Sequence, residues 1–144
     1  MKPYLLDVNV LLALSRPSHV HHHESQVWFA RKGQAGFRTC PLTQMGFVRI
    51  SSNPNFTCRA APPRAALELL ERIVALPGHE FWPDDLTLHE AIDREQPIVG
   101  HRQVTDAYLI ALAASHGGVV ATLDRGMLAV AAGREGLVEI VEGW

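Results

Sequence analysis

Two short apolar runs that each end at an aspartate constrain the fold of this chain more than any other feature of its sequence. The first run covers residues 4–6 and ends at Asp7, and the second covers residues 119–123 and ends at Asp124. Short runs of this kind are typical of strands buried on both faces. Both carboxylates are therefore predicted to emerge at the ends of buried strands, at one edge of the core.

Helical patterns alternate with such runs along the whole chain. The predicted strands cover residues 4–6, 37–40, 80–82, 119–123 and 137–141. The predicted helices cover residues 10–14, 18–32, 41–50, 64–76, 86–92, 104–116 and 128–132. This alternation predicts an α/β fold with a mostly parallel sheet and helices on both faces. In such sheets ligands bind at the carboxyl ends of the strands, which is where Asp7 and Asp124 are expected.

The length and composition limit the domain organisation. A chain of 144 residues with 47% hydrophobic residues is predicted to form one domain, residues 1–144, around a single core. The formal net charge of -2 is unusual for a nucleic-acid-binding protein, although a local basic patch beside a metal is compatible with it.

Asp106 is the third candidate metal ligand. It lies near the start of the predicted helix 104–116, after Thr105, which is a candidate N-cap. An acid in the first helical turn also interacts favourably with the helix dipole, so a purely structural role stays open. Carboxylates held close together repel each other, and a divalent cation such as Mg²⁺ or Mn²⁺ removes that repulsion.

Four segments in order resemble the PIN-domain family, and in particular the VapC-type toxins of toxin–antitoxin pairs. They are residues 5–14 around Asp7, residues 41–50, residues 105–109 around Asp106 and residues 121–126 around Asp124. The resemblance extends from residue 4 to near residue 141. Each segment alone is weakly specific, whereas four in the same order and spacing are specific.

The resemblance implies a three-layer α/β/α fold with a sheet of about five parallel strands. It implies an endoribonuclease that depends on Mg²⁺ or Mn²⁺ held by Asp7, Asp106 and Asp124, and that hydrolyses structured RNA such as tRNA with a metal-activated water. It also implies a homodimer and a VapB-like antitoxin that inserts a segment toward the acidic site.

The sequence departs from the family pattern at Gln44, where a glutamate is usual. We interpret Gln44 as an outer-shell ligand of a single metal, with capping of the helix after Cys40 as the alternative. Asn9 is a further candidate site residue that holds a water or the segment around Asp7, or else caps the following helix. Arg49, Arg102 and Arg125 are candidates for phosphate contact because they lie near the motifs.

Gln44 also favours an alternative function, a catalytically weak PIN-like module that binds RNA or protein without cutting. DNA as the substrate stays open too. Phosphatases of the haloacid-dehalogenase type are unlike this chain, because Asn9 stands where they need an acid and no lysine follows Lys32.

The location in the cell is predicted from two features of the sequence. Cys40 and Cys58 form no CxxC motif, and two isolated thiols fit a reducing compartment. The first apolar stretch is too short, and too interrupted by polar residues, to be a leader or a membrane span. These features predict a cytoplasmic protein without a membrane segment.

Overall fold

The computed structural model describes residues 1–57, 59–92 and 96–143, and Cys58 therefore lies outside the described residues. The strands are β1 Tyr4–Leu6, β2 Phe37–Thr39, β3 His79–Phe81, β4 Val119–Thr122 and β5 Val138–Ile140. The helices are α1 Val8–Ser15, α2 His22–Arg31, α3 Pro41–Ser51, α4 Pro63–Val74, α5 Leu88–Ala91, α6 Gln103–Ser115 and α7 Met127–Val130. Short 3₁₀ turns cover Gly33–Ala35 and Glu135–Leu137.

The five strands form one parallel sheet in the order β3-β2-β1-β4-β5. The chain winds outward from β1 through β2 to β3, and then crosses to the other side of β1 to form β4 and β5. β1 and β4 therefore meet at the point where the winding direction reverses, which is where parallel sheets form a crevice at their carboxyl ends. In the register of these two strands, Leu6 is paired with Ala121.

Side chains of β1 alternate between two hydrophobic clusters, one on each face of the sheet. Leu5 packs with Val120 and with buried residues of α6, whereas Tyr4 and Leu6 pack with residues of α1 to α4. Leu5 and Leu6 are both fully buried, as expected for a strand covered by helices on both sides. The predicted three-layer α/β/α architecture is thereby confirmed.

Most helix starts differ from the sequence prediction by one or two residues, and that of α2 differs by four. α2 begins at His22 rather than at residue 18, because residues 17–21 form turns. α6 begins at Gln103, so Thr105 lies inside the helix and the prediction that Thr105 is its N-cap was wrong. Within the described residues, every helix is too short or too polar to cross a bilayer.

Candidate functional site

Asp7 lies where the central strand β1 passes into α1. Its backbone is extended, so it serves as the N-cap of α1, and its Oδ1 accepts a hydrogen bond of 2.8 Å from the Val8 N–H. Its Oδ2 accepts a hydrogen bond of 2.8 Å from the Thr122 hydroxyl on β4. Burial raises the pKa of Asp7, and these two hydrogen bonds oppose that rise while the charge of Asp124 adds to it. The Asp7 side chain is thus fixed, but at an electrostatic cost.

Thr122, the last residue of β4, is the hydrogen-bonding centre of this edge of the sheet. Besides donating to Asp7, its Oγ1 accepts hydrogen bonds of 3.1 Å from the Asn9 amide and 3.1 Å from the Asp124 N–H. Asn9 Oδ1 in turn accepts a hydrogen bond of 3.1 Å from the Leu123 N–H. Because Asp7 caps α1, Asn9 does not, and the capping alternative for Asn9 was wrong. Asn9 instead ties the start of α1 to the end of β4.

Asp124 follows β4 and is exposed. Its Oδ1 accepts a hydrogen bond of 2.8 Å from the Gly126 N–H, so the side chain folds back over the turn that leads to α7. Asp124 and Asp7 belong to adjacent strand ends, and their negative charges interact closely enough for Asp124 to raise the pKa of Asp7.

Asp106 lies in the first turn of α6 and is half-buried. Its pKa is raised to about 6 by burial, and then by the charges of Asp7 and Asp124. The structure therefore brings three carboxylates from β1, β4 and α6 within electrostatic range of each other.

No positive side chain balances this negative charge within the described residues. The salt bridges there involve other carboxylates, namely those of Glu24, Glu80, Asp85, Glu139 and Glu142. Nor do any three His, Cys, Asp or Glu side chains of that part of the chain already converge as a metal cage. Asp7 and Asp124 instead point toward N–H and O–H donors, which like-charge repulsion favours. Asp7, Asp106 and Asp124 as the metal ligands stay a prediction.

Gln44 lies in the first turns of α3, beside the start of α1. Its Nε2 donates a hydrogen bond of 3.0 Å to Thr39 Oγ1 at the end of β2. Thr43, and not Gln44, completes the cap of α3, because its hydroxyl accepts a hydrogen bond of 3.0 Å from the Cys40 N–H. The capping alternative for Gln44 was therefore wrong. Gly46 allows this close packing, since a Cβ there would lie 2.7 Å from the Val8 side chain.

Thr39 links Gln44 to His79, a histidine that no sequence pattern indicated. The Thr39 hydroxyl lies 2.7 Å from His79 Nε2, and His79 also hydrogen-bonds the Val74 backbone. With its other ring nitrogen donating to that carbonyl, His79 Nε2 accepts the Thr39 proton, and Thr39 accepts from the Gln44 amide. This order of donors directs the Gln44 carbonyl oxygen away from Thr39. Residues of β2 and β3 meet here through strand pairing, which no local sequence pattern signals.

The three arginines selected by sequence proximity are all exposed. Arg125 forms a salt bridge with Glu142, whereas Arg49 and Arg102 form none within residues 1–57, 59–92 and 96–143. A role for any of them in phosphate contact stays a prediction.

Comparison with known proteins gives a consistent result. The profile of the PIN domain family matches residues 4–133. The chain is 45% identical to Ribonuclease VapC39 of Mycobacterium tuberculosis, over 95% of this chain and 98% of that protein. It is 44% identical to Ribonuclease VapC38 of the same species, over 88% of this chain and 89% of that protein. It is 40% identical to Ribonuclease VapC44, over 84% and 85% of the two chains.

Proposed function

Because this chain belongs to the PIN-domain family, we propose that it is a Mg²⁺- or Mn²⁺-dependent endoribonuclease toxin of a type II toxin–antitoxin system. The observation that carries the proposal is the presence of the Asp7, Asp106 and Asp124 carboxylates near the carboxyl ends of β1 and β4, where burial, and then the charges of Asp7 and Asp124, raise the pKa of Asp106 to about 6. Negative charges that lie close together where the winding direction of a parallel sheet reverses create a site for a cation. The named ribonucleases among its relatives support RNA as the substrate.

The residues present suit a hard divalent cation. Asp7, Asp106 and Asp124 offer carboxylate oxygens, which Mg²⁺ and Mn²⁺ prefer, and no salt bridge in the described residues competes for them. When bound, such an ion supplies a water of lowered pKa and neutralises charge that develops on the phosphoryl oxygens.

The surrounding side chains position these ligands. Thr122 holds Asp7 by donating to its Oδ2, and Asn9 holds the end of β4 against the start of α1. Gln44 presents a neutral amide oxygen, oriented by Thr39, which accepts a hydrogen bond from water without adding charge. We propose that Gln44 contacts the attacking water or a metal-bound water rather than the metal.

The finer features rest on the family resemblance and are part of the same proposal. We infer that residues 1–144 form one domain, that the chain acts in the cytoplasm on structured RNA such as tRNA, and that it forms a homodimer. We also infer a VapB-like antitoxin. An apolar cavity of about 550 Å³ lined by Leu11, Phe29, Leu69 and Ile73 supports the docking of an apolar segment of that antitoxin. Co-purification with the product of the adjoining reading frame tests for the antitoxin, and light scattering tests for the homodimer.

The test of the function is a cleavage assay on purified total tRNA and on a matched DNA stem-loop. We expect cleavage of RNA with Mg²⁺ or Mn²⁺, none with EDTA, and none by Asp124→Asn, whose side chain keeps the same size. Asp85→Asn serves as the control, because Asp85 is an exposed acid that pairs with His116 instead. Binding without cleavage under every metal condition would contradict the proposal and favour the binding module, and cleavage of DNA alone would reassign the substrate.

A further inference from the structure

Arg16 and Phe56 mark a second pocket, which lies outside the acidic site. Its volume is about 680 Å³, within the range of ligand pockets, and Arg16, His19, Ile50, Phe56 and Arg59 line it. We call it the Arg16–Phe56 pocket. It lies where the turn after α1 meets the loop between α3 and α4.

The floor of this pocket is held together by Arg16. Its guanidinium group donates hydrogen bonds of 3.1 Å to Thr57 Oγ1 and of 3.0 Å to the Ser51 carbonyl. The Arg59 N–H donates a hydrogen bond of 3.3 Å to the same Thr57 oxygen. These bonds connect the end of α1 to the loop that carries Phe56 and Arg59, so the pocket has a defined shape.

Phe56 is the unusual component of the pocket, because 70% of its side chain is exposed. Exposing a phenylalanine on a loop gives nothing to the core, whereas an aromatic face beside arginines is the usual platform for an unpaired base. Neither Arg16 nor Arg59 forms a salt bridge within the described residues, so the charge of each is unpaired there, although the Arg16 guanidinium also donates to Ser51 and Thr57.

The part of the sequence that builds the pocket is rich in positive charge, although the net charge of the chain is -2. Residues 8–67 contain seven arginines and lysines and a single acid, Glu24, whereas residues 68–144 contain thirteen acids and five arginines. Burial, followed by the charges of His21, Arg16 and His22, lowers the pKa of His19, which fits a positive local potential. A polyanion is therefore attracted to the side of the molecule built by α1 to α3.

The acidic site and the Arg16–Phe56 pocket lie at the two ends of α1. Asp7 caps the start of α1 and Arg16 caps its end, so about nine helical rises, or roughly 14 Å, separate them along the helix axis. A short run of nucleotides spans this distance.

We propose that the Arg16–Phe56 pocket binds an unpaired segment of the RNA substrate that flanks the cleaved bond, with Phe56 stacking on a base and Arg16 and Arg59 contacting phosphate. The inference rests on the proposed ribonuclease function. It makes the pocket a substrate-binding subsite that selects unpaired RNA, because a base is held there by stacking, a contact that every unpaired base can make.

The experiment measures binding of a fluorescein-labelled single-stranded RNA 12-mer to the full chain in EDTA, where cleavage is stopped. We expect Phe56→Leu to weaken binding roughly tenfold and Phe56→Trp to preserve it, because stacking needs an aromatic ring and not merely an apolar one. Arg59→Gln is expected to weaken binding and to reduce the slope of log K against log salt by about 0.7. Leu88→Ala and Arg134→Gln are the matched controls, since both residues are exposed and lie in the acidic half of the chain.

Two outcomes would overturn the proposal that the pocket binds RNA. One is unchanged RNA binding in both Phe56→Leu and Arg59→Gln, and the other is an equal loss of RNA affinity in Phe56→Leu and Phe56→Trp. Thermal melting of each variant excludes unfolding as the cause, and the exposure of Phe56 predicts an unchanged Tm. In Mg²⁺, the KM for RNA should rise in parallel with Kd in the weakened variants. Failure of the wild-type chain to cleave any RNA would contradict the proposed function. The binding measurement in EDTA tests RNA binding by the pocket independently of cleavage.

Discussion

Glu139 and the three aspartates at the sheet edge show two ways of placing carboxylates in this fold. Glu139 on β5 accepts hydrogen bonds from the Trp28 indole at 2.7 Å and the Tyr4 hydroxyl at 3.1 Å, and its Oε2 lies 3.2 Å from the Lys32 ammonium. Its charge is balanced by a cation of the same chain. Among the described residues, Asp7 and Asp124 accept hydrogen bonds from neutral N–H and O–H donors, and the charges that raise the pKa of Asp7 and Asp106, after burial, are those of the other edge aspartates.

The difference shows that this fold can balance the charge of a half-buried carboxylate with a cation of the same chain. It does not do so for the three aspartates at the sheet edge. A carboxylate that serves packing is completed by donors from neighbouring elements, as Glu139 is by α2 and β1. Asp7 and Asp106 keep raised pKa values that cost stability in the absence of a cation. Unbalanced charge repulsion of this kind, located where strand ends meet, is characteristic of a functional site.

The largest expected effect comes from Asp7→Asn. The asparagine oxygen still accepts from the Val8 N–H, so the cap of α1 survives, but the charge that a cation needs is gone. We expect RNA cleavage to fall by at least about a hundredfold, with little change in the far-ultraviolet circular dichroism spectrum. Glu139→Gln should retain cleavage. Activity within a few-fold of wild type in Asp7→Asn would erase the distinction between the two regions.

Glu139→Gln should instead reduce stability. Trp28 and Tyr4 donate to different oxygens of Glu139, whereas glutamine keeps one oxygen and has no charge to pair with Lys32. We expect a loss of about 1–3 kcal/mol in the free energy of unfolding, measured by urea titration. Glu80→Gln is the control, because Glu80 is exposed and a solvent-screened ion pair such as that with Arg38 is worth at most about 1 kcal/mol. Equal small losses in both variants would mean that Glu139 is not the structural carboxylate.

Asp106→Asn should stabilise the metal-free protein. The folded-state pKa of Asp106 is about 6, above its ordinary value of 3.8, so the folded state binds more protons and wild-type stability falls as pH rises between these values. Asparagine removes that loss. The full shift is discounted because Asp106 is half exposed, and we expect a gain of about 1 kcal/mol at pH 7 that vanishes below about pH 4.

Adding Mn²⁺ should make the wild-type protein more stable than Asp106→Asn, because only wild type gains the full free energy of metal binding. Thermal melts at pH 4 and pH 7, with EDTA or with Mn²⁺, measure all four conditions. A destabilised metal-free Asp106→Asn at pH 7 would assign Asp106 a structural role at the start of α6.

Much of this arrangement was predictable from the sequence. Apolar runs ending at Asp7 and Asp124 fixed the strand ends, and the confirmed parallel sheet brings such ends to one edge. Helix starts were harder, since Thr105 fits a cap by residue type while packing begins α6 at Gln103. Contacts between segments distant in sequence were out of reach. The Thr39–His79 bond depends on the pairing of β2 with β3, and the Arg16–Thr57 bond depends on how two loops meet.

Gln44→Glu sharpens the comparison with the smallest expected effect, because it adds a fourth carboxylate to the unbalanced edge. Glutamate offers only acceptors, so Thr39 must turn its single proton toward residue 44, and His79 Nε2 then faces an acceptor. The neutral imidazole loses its partner there, so the pKa of His79, which burial lowers in wild type, should move upward. Mn²⁺ should bind at most about tenfold more tightly, since the added charge acts through solvent.

NMR titration of His79 and calorimetry with Mn²⁺ measure the two effects, with His101→Gln removing another histidine signal as the assignment control. An upward pKa with unchanged Mn²⁺ affinity would keep the hydrogen-bond chain and exclude Gln44 from the metal's surroundings, whereas an unchanged pKa would show that Thr39 does not relay between the two side chains.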